Sequence, residues 1–450
     1  MKGQQIQSYL TNMKNIQENI LLYLEETDNI DIAFTDLVNR IQQTNYHLNK
    51  DEFASILSLL IKISKNYHRS TDFFSKLDRI FKYFETIIKG TFSNSELYRI
   101  VRKNKRVLLF LIKEGILTVD DNIAKQILYE SENFAKFFYP EIKDFIHNEE
   151  ILSELRKDID DDHDFEQKRN EGENDNYICN LIRNDLVEDF VSHHTRSNFS
   201  LNNSISPSIF ETNSFILNQI KKGKNPTLIE YAAFYGSISI FNYLRINEVE
   251  LKPSIWNYAV HSKNAALIHL IEEQKVEPES KYVKCLLNSI KYFNNDLTEY
   301  FLNNQLKGII PTEIIYQLGT DKYKQIQVID RDSCLFKYQN FNYMDNLNID
   351  DQLTLWLSCK YNYLYIAKYM LNHQGLNVDV NAYSFDELWN NNFFLTLEKY
   401  TPLCIAAKKG NLEIIQILAS VKEIKINKQV VFNNECYFIH EISIFFFFFI

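Results

Sequence analysis

The chain has 450 residues, a net charge of −10 and 45% hydrophobic residues, so it can build a core and its composition is not that of a disordered protein. Only 10 glycines and 7 prolines occur, against roughly 31 and 22 in an average chain of this length, which argues against turn-rich all-β folds. The acidic balance makes nucleic acid an unexpected partner, and no glycine-rich phosphate-binding motif is present.

Residues 1–150 predict a helical amino-terminal region, which includes a weak copy of the repeat described below at 100–112. Apolar residues recur at three- and four-residue steps, as in 53–63, and Ser93–Glu96 has the pattern of a helix start. Its basic run, Arg102–Arg106, is either a nuclear signal or phosphate contact, or the solvated face of a helix. An enzymatic site hidden in this region stays an alternative function.

Residues 151–175 predict an acidic linker, because they contain ten acidic and four basic residues. Asp160, Asp162 and Asp164 fall at positions 1, 3 and 5 of a calcium-binding loop. Phe165 stands where that loop requires glycine for its sharp turn, so we expect no metal site here.

From residue 176 onward the helical period returns with a repeat. Segments 227–244 and 401–418 align without a gap, and each has a small residue near the end of a first helix, a turn at Gly236 or Gly410, and an apolar second helix. The small anchor residues of the five units are Ala232, Ala259, Ser289, Ser358 and Ala406. Their spacing predicts one degenerate unit in 305–345 and an inserted finger at 373–398. Neither helix of a unit can bury its apolar face alone, so stacked units predict a solenoid.

The segment 401–418 begins Thr-Pro-Leu-Cys-Ile-Ala, which matches the T-P-L-H-x-A signature of ankyrin repeats with Cys404 in place of histidine. Residues 225–303 resemble a divergent ankyrin-type domain of unknown function found in expanded families of protist proteins. The resemblance implies an all-α fold, a helix-turn-helix ankyrin-like solenoid with a helical amino-terminal region. It divides the second half into the divergent domain (176–303) and further repeats (304–430).

Two features depart from the family pattern. Lys399 stands where a glycine usually precedes the repeat, and residues 431–450 form an aberrant tail that ends in consecutive phenylalanines. A solenoid normally ends with a polar capping repeat. We therefore expect a truncated or frame-shifted gene end, or a cap supplied by a partner.

The resemblance implies a non-catalytic scaffold that binds a protein partner, of unknown identity, on the concave face of the solenoid. The two residues before the turn of each unit lie on that face in ankyrin proteins. The candidate partner-binding residues are Phe234, Tyr235, His261, Lys291, Tyr292, Lys360, Tyr361, Lys408 and Lys409. The aromatic members among them could instead pack on neighbouring units.

No catalytic, cofactor-binding or metal-binding residues are expected, because no motif for such chemistry is found. The six cysteines include no C-x-x-C pair and fit buried thiols in a reducing compartment. No apolar run is long enough to span a bilayer, so we expect a cytoplasmic or nuclear protein without a membrane partner. Two rival hypotheses remain: a regulatory subunit or enzyme with its site in 1–150, and a decayed family member without function.

Overall fold

The computed structural model describes residues 2–157, 159, 162–279, 282–306, 313–318, 325–344, 351–372, 378–388, 396–426, 430–432 and 435–437. The chain divides into two compact units. Unit 1 comprises Met1–Glu18, Asn39–Ser55 and Asp332–Ile450, and unit 2 comprises Asn19–Val38 and Ile56–Arg331. The predicted calcium-loop residue Asp160 and the phenylalanine end of the chain lie outside the described residues.

Short helices follow one another through the first 175 residues, as the periodicity predicts. They are α1 (Lys2–Glu25), α2 (Ile30–Thr44), α3 (Lys50–Asn66), α4 (Phe73–Tyr83), α5 (Glu85–Thr91), α6 (Asn94–Val101), α7 (Lys105–Lys113), α8 (Asp121–Glu130), α9 (Glu132–Phe137), α10 (Tyr139–Ile142), α11 (Glu149–Arg156) and α12 (Phe165–Glu171), with 3₁₀ turns at Tyr46–Leu48 and Lys143–Phe145.

Helix pairs make up most of the described remainder of the chain. They comprise α13 (Tyr177–Arg183), α14 (Val187–Ser197), α15 (Ser214–Lys221), α16 (Leu228–Tyr235), α17 (Ile238–Ile246), α18 (Ile255–Ala259), α19 (Ala265–Glu273), α20 (Val283–Lys291), α21 (Asn295–Tyr300), α22 (Arg331–Tyr338), α23 (Asp351–Tyr361), α24 (Leu364–Asn372), α25 (Pro402–Lys409) and α26 (Leu412–Ala419). A π-helical turn follows α21 at Phe301–Gln305, and a 3₁₀ turn follows α22 at Phe341–Tyr343.

The short strands lie between helix pairs or after the last one. β1 (Glu313–Leu318) pairs antiparallel with β2 (Gln325–Asp330). β3 (Ser384–Leu388) pairs antiparallel with β4 (Thr396–Tyr400), and β5 (Val430–Phe432) and β6 (Glu435–Tyr437) extend that sheet. The β3–β4 hairpin confirms the inserted finger predicted from the repeat spacing. The predicted all-α, helix-turn-helix architecture is confirmed for the helix pairs on either side of these strands.

Side-chain caps define where the first helices of the repeat units begin. The Thr227 hydroxyl oxygen accepts a hydrogen bond from the Glu230 N–H, and the Glu230 carboxylate accepts one from the Thr227 N–H, which is a capping box. The Thr401 oxygen accepts from the Cys404 N–H, and Pro402 occupies the first helical position, where its missing N–H costs nothing. The sequence therefore fixes these helix starts locally.

Each helix pair turns at a residue with positive φ, four residues after its small anchor. The five anchors are all buried, with no measurable exposure. The turn residues are Gly236 (φ 75°), Lys263 (55°), Phe293 (56°), Asn362 (63°) and Gly410 (71°). Asp185 (51°) and Gln339 (60°) take the same conformation in the α13–α14 pair and after α22. The left-handed turn is thus kept even where a side chain makes it costly.

A ladder of side-chain hydrogen bonds joins successive helix pairs. In each case the side chain of the residue after the positive-φ position donates to a backbone carbonyl near the end of a preceding first helix or at the turn that follows it. These side-chain to backbone hydrogen bonds run from Asn264 to Gly236 (3.0 Å), Asn294 to Val260 (3.1 Å), Tyr363 to Phe336 (2.9 Å) and Asn411 to Cys359 (2.7 Å). The Ser237 hydroxyl donates to the Ile182 carbonyl in the same way. These bonds satisfy buried or half-buried backbone carbonyls that would otherwise lose their partners.

We expect the Asn411→Ala variant to lower the free energy of unfolding of unit 1 by about 1–3 kcal/mol, because it leaves the Cys359 carbonyl without its side-chain donor. Asn411 makes no capping bond to its own helix, so the loss reports the contact between pairs. Urea unfolding followed by circular dichroism measures it. The exposed Gln416→Ala variant on α26 is the control, and equal midpoints for the two variants would contradict the prediction.

The acidic segment is not a solvated linker, contrary to the sequence-based prediction. Its helix α12 places Phe165 and Arg169 one turn apart, and both are buried in unit 2. The Arg169 guanidinium donates to both oxygens of Glu141 at 2.7 and 3.0 Å and to the Phe137 carbonyl at 2.9 Å. The burial of these two side chains therefore outweighs the repulsion among the acidic residues around them. No boundary between the two units falls at 151–175.

Unit 1 joins the beginning of the chain to its second half. The Tyr9 ring of α1 stacks on the Tyr365 ring of α24, with centroids 4.3 Å apart. The buried Gln17 side chain accepts a hydrogen bond from the Phe341 N–H at 2.7 Å and donates to the Asn340 side-chain oxygen at 3.1 Å. The first turns of α1 are thus part of the packing of the α22 and α24 region.

Candidate interaction surface

The candidate residues in unit 2 lie inside the fold. Phe234 and His261 are fully buried, and their rings stack in parallel with centroids 3.7 Å apart. The Phe234 ring is also stacked on the Phe215 ring, with centroids 5.8 Å apart. Tyr292 is 1% exposed and meets the His261 ring edge-on at 4.9 Å. These side chains therefore pack on neighbouring helix pairs and are not accessible to a partner.

The end of α3 and the residues after it cover this row. His68 meets His261 edge-on, with ring centroids 5.7 Å apart. Lys263 binds the Glu25 carboxylate and the Tyr67 hydroxyl, and its ammonium lies 4.4 Å from the Tyr67 ring centroid. The amino-terminal region therefore contacts the surface around His261, which the family resemblance assigns to partner binding.

Tyr235 and Lys291 are also engaged within unit 2. The Tyr235 hydroxyl donates to a Glu173 oxygen at 2.7 Å, and the other Glu173 oxygen accepts from Arg69 at 2.8 Å. Glu211 is buried near these charges, and burial together with the neighbouring Glu173 raises the pKa of Glu211 to about 7. The Lys291 ammonium lies 5.4 Å from the Phe215 ring centroid, and the residue is 8% exposed. The hydrogen bond between Glu173 and Tyr235 thus connects the acidic segment to the first repeats.

The buried His261 and the half-buried His68 beside it predict an acid-sensitive fold. Burial lowers the pKa of His68 to about 4 and, with the charge of His68, lowers that of His261 well below its usual value. An unfolded histidine takes up a proton below about pH 6.5, so unit 2 loses stability as the pH falls from 6.5 toward 4. For His68 alone we expect a loss of about 2 kcal/mol between pH 7 and pH 5.

Urea unfolding of the parent and of the His68→Gln variant at pH 7, 6 and 5 tests this expectation. The stability difference between the two proteins should shift in favour of the variant as the pH falls. Glu211, whose raised pKa gives the opposite slope, is common to both proteins and cancels in the difference. A difference that does not change with pH would contradict the prediction.

The candidate residues in unit 1 lie at the surface instead. Lys360, Tyr361 and Lys408 are half-buried, and Lys409 is exposed. The Lys360 ammonium is 4.9 Å from the ring centroid of Trp356 and 5.1 Å from that of Tyr361. Contacts of this kind hold a cation in place without neutralising its charge.

Lys408 is held in the same way on the neighbouring inner helix. Its ammonium lies 4.2 Å from the ring centroid of Tyr400 and donates to the Tyr400 hydroxyl at 2.8 Å. We call Lys360, Tyr361, Lys408 and Lys409 the basic–aromatic surface. Sequence reasoning missed Trp356 and Tyr400 as supports, although Trp356 lies one helical turn before Lys360, a spacing at which side chains meet.

Comparison with known families identifies the repeats. Residues 329–430 match the family model described as Ankyrin repeats (3 copies). This part of the chain carries ankyrin repeats. No curated protein matches the chain. The family match includes all four residues of the basic–aromatic surface and the predicted repeat at 401–418. Ankyrin repeats are a protein-interaction module and are typically non-catalytic, so the repeats at 329–430 indicate protein binding.

The other candidate features of the chain have structural roles in the described residues. Arg106 in the basic run forms a bidentate ion pair with Asp78 at 3.2 and 2.6 Å, and Lys105 donates to the Ile209 carbonyl at 2.6 Å. Both are buried, so the run is not wholly a solvated helix face. Burial raises the pKa of Cys179 and Cys285 to about 12, which disfavours a reactive thiolate.

No group of three or more potential metal-ligating side chains occurs among the described residues. No described helix has the length and apolar character that crossing a bilayer requires.

Proposed function

We propose that this ankyrin-repeat chain is a non-catalytic scaffold that binds an acidic segment of a protein partner on the basic–aromatic surface of unit 1. The observation that supports it most directly is the contrast between the two halves of the predicted row. Phe234, His261, Lys291 and Tyr292 are buried within unit 2, where His68 lies against His261, whereas the unit 1 residues remain at the surface. We therefore restrict the concave-face proposal to the repeats at 329–430.

The chemistry of this surface favours an acidic partner. Lys360 and Lys408 extend from the ends of neighbouring inner helices, α23 and α25, and each ammonium rests against aromatic rings. Lys409 adds a third cation next to Lys408. Lysines that are already positioned lose less side-chain entropy on binding than free ones, and the half-exposed Tyr361 ring offers an apolar contact of the kind enriched in binding hot spots.

A capture experiment with matched charge-reversal variants tests the proposal. The bait is the full chain, and the test variant is Lys360→Glu/Lys408→Glu/Lys409→Glu. The control is Lys125→Glu/Lys157→Glu/Lys252→Glu, which changes three exposed lysines elsewhere by the same total charge. Proteins captured from a lysate of the source cells are quantified by mass spectrometry for the parent and both variants.

We expect at least one acidic protein to be retained by the parent and the control and reduced at least about tenfold on the test variant. Circular dichroism should give the same helix content for all three proteins, because surface substitutions cost little stability. Retention of the same proteins by both variants would overturn the assignment of the surface. The proposal also places the scaffold in the reducing cytoplasm or nucleus, which suits its buried free cysteines.

A further inference from the structure

Three helices of unit 1 carry a lysine at the same position of the repeat. Lys337, Lys360 and Lys408 lie in the last turns of α22, α23 and α25, and each lies two residues before a residue with positive φ. Those turn residues are Gln339 (60°), Asn362 (63°) and Gly410 (71°). We call the three lysines the lysine row. It extends the basic–aromatic surface by Lys337, which is exposed.

Hydrogen bonds between the repeats hold the row in register. The Tyr363 hydroxyl donates to the Phe336 carbonyl at 2.9 Å. The Asn411 side chain donates to the Cys359 carbonyl at 2.7 Å. Each of these carbonyls belongs to the residue just before a lysine of the row. Because helices that pack side by side lie about 8–10 Å apart, the row advances by about one such step per repeat.

An aromatic ring supports every lysine of the row. The Lys337 ammonium lies 5.2 Å from the ring centroid of Tyr338. The ammonium groups of the other two lysines rest on Trp356 and Tyr400 at 4.9 and 4.2 Å. Tyr338 and Tyr361 each follow a lysine of the row and are half-buried, so part of each residue is accessible. The surface therefore combines positioned cations with accessible aromatic side chains.

The left-handed turn itself does not require a lysine two residues before it. The equivalent residues in unit 2 are Phe234, His261 and Lys291, and all three are buried. The helix dipole favours a cation in the last turn of a helix, yet α16 and α18 have no basic residue there. Three lysines at one position, each against an aromatic ring, therefore indicate a binding surface.

The spacing of the row matches one conformation of a peptide chain. A polyproline II segment rises about 3.1 Å per residue with three residues per turn, so every third side chain leaves the same face at intervals of about 9 Å. Side chains on one face of a β-strand are about 7 Å apart, so a strand falls out of step with the row. An α-helix repeats its face about every 10.5 Å, at each seventh residue. Accessible aromatic side chains such as Tyr338 and Tyr361 favour polyproline II, which docks on aromatic-lined grooves.

We propose that the lysine row binds an extended, polyproline II-type segment of a protein partner that carries an acidic residue at every third position. The inference rests on the proposed function and adds a conformation, a spacing and the contact residue Lys337 to it. Each carboxylate of the segment pairs with one lysine, and the residues between them contact Tyr338 and Tyr361. Positioned lysines and a stiff polyproline II segment both reduce the entropy lost on binding.

Fluorescence anisotropy with dye-labelled peptides and the full chain tests the spacing. The test peptide contains the sequence EPPEPPE, and the control peptide contains its isomer EEPPPPE, which has the same charge and composition. We expect the full chain to bind the test peptide at least about fivefold more tightly than the isomer, because only the test peptide can reach all three lysines at once. Binding should weaken as sodium chloride is raised. Equal affinities for the two peptides would overturn the proposal.

Variants of Lys337 test the contact that the inference adds. Lys337→Gln should bind EPPEPPE at least about fivefold more weakly than the parent, whereas Lys125→Gln, which removes an exposed lysine on α8, should stay within about twofold. Lys337→Glu should bind either KPPEPPE or EPPEPPK more tightly than EPPEPPE, because Lys337 lies at one end of the row. Circular dichroism should show equal helix content for all of these proteins. Parent-like affinity of folded Lys337→Gln for EPPEPPE would contradict the proposal.

The results also distinguish failure of this inference from failure of the proposed function. Capture of acidic proteins that depends on Lys360, Lys408 and Lys409, together with equal affinities for EPPEPPE and EEPPPPE, would leave the proposed function in place and overturn only the spacing. Neither capture nor peptide binding would overturn both. Tighter binding of a helical alanine-rich peptide with glutamate at every seventh residue would assign the row to a helix and overturn the polyproline II assignment.

Discussion

We expect the Arg169→Ala variant to lower the free energy of unfolding of unit 2 by about 3–5 kcal/mol, because removing one partner of a buried ion pair leaves the other charge uncompensated. Arg169 is 1% exposed and donates to both Glu141 oxygens and to the Phe137 carbonyl. It also lies 5.1 Å from the Phe165 ring centroid. Urea unfolding followed by circular dichroism measures the change.

The matched control is Arg196→Ala, which removes an exposed arginine from α14 and should change stability by less than about 0.5 kcal/mol. The double variant Arg169→Met/Glu141→Leu should recover most of the loss, since an apolar pair can replace a buried ion pair. Equal unfolding midpoints for Arg169→Ala and Arg196→Ala would mean that the acidic segment is not anchored through Arg169.

Replacement of Phe234 by alanine should cost about 3–5 kcal/mol of unfolding free energy, as is usual for a fully buried phenylalanine. The substitution removes the ring that lies between His261 and Phe215 and leaves a cavity beside both. Loss of a binding partner by this variant would therefore follow from damage to unit 2, and it could not be attributed to a contact made by Phe234. Thermal and urea unfolding measure the change.

Two variants make this expectation specific. Tyr129→Ala removes an aromatic ring that is 79% exposed and should leave stability nearly unchanged. Phe234→Leu keeps an apolar side chain in the site and should lose clearly less stability than Phe234→Ala. A Phe234→Ala protein as stable as Tyr129→Ala would show that the ring is not part of the core.

Local sequence signals were enough to predict the helix pairs. The small anchors and the glycines at 236 and 410 follow a fixed spacing, because close helix approach and a left-handed turn restrict which residues fit. The finger at 373–398 was predictable because an insertion lengthens the interval between two anchors. The left-handed turns at Lys263 and Phe293 carry no such signal, since neither residue type favours positive φ.

Long-range packing was the part that the sequence did not reveal. The rings of His68 and His261 are in contact although the two residues are far apart in the sequence. Helical periodicity shows which face of a helix is apolar, but it does not show which other segment covers that face. The acidic segment was misjudged for a different reason, because its average composition concealed two anchoring side chains. Phe165 and Arg169, one turn apart and followed by Gly172 at the helix end, were the available signal.

The discontinuity of unit 1 has a consequence for the order in which the chain can fold during synthesis. Residues 1–18 are synthesised more than 300 residues before their packing partners around Phe341 and Tyr365. At about 5–20 residues per second this is a wait of roughly 15–70 seconds. Unit 2 can be completed during that interval, whereas the apolar side of Tyr9 and its neighbours stays without its final contacts. Residues 1–18 are therefore a segment of the nascent chain that a chaperone would need to protect.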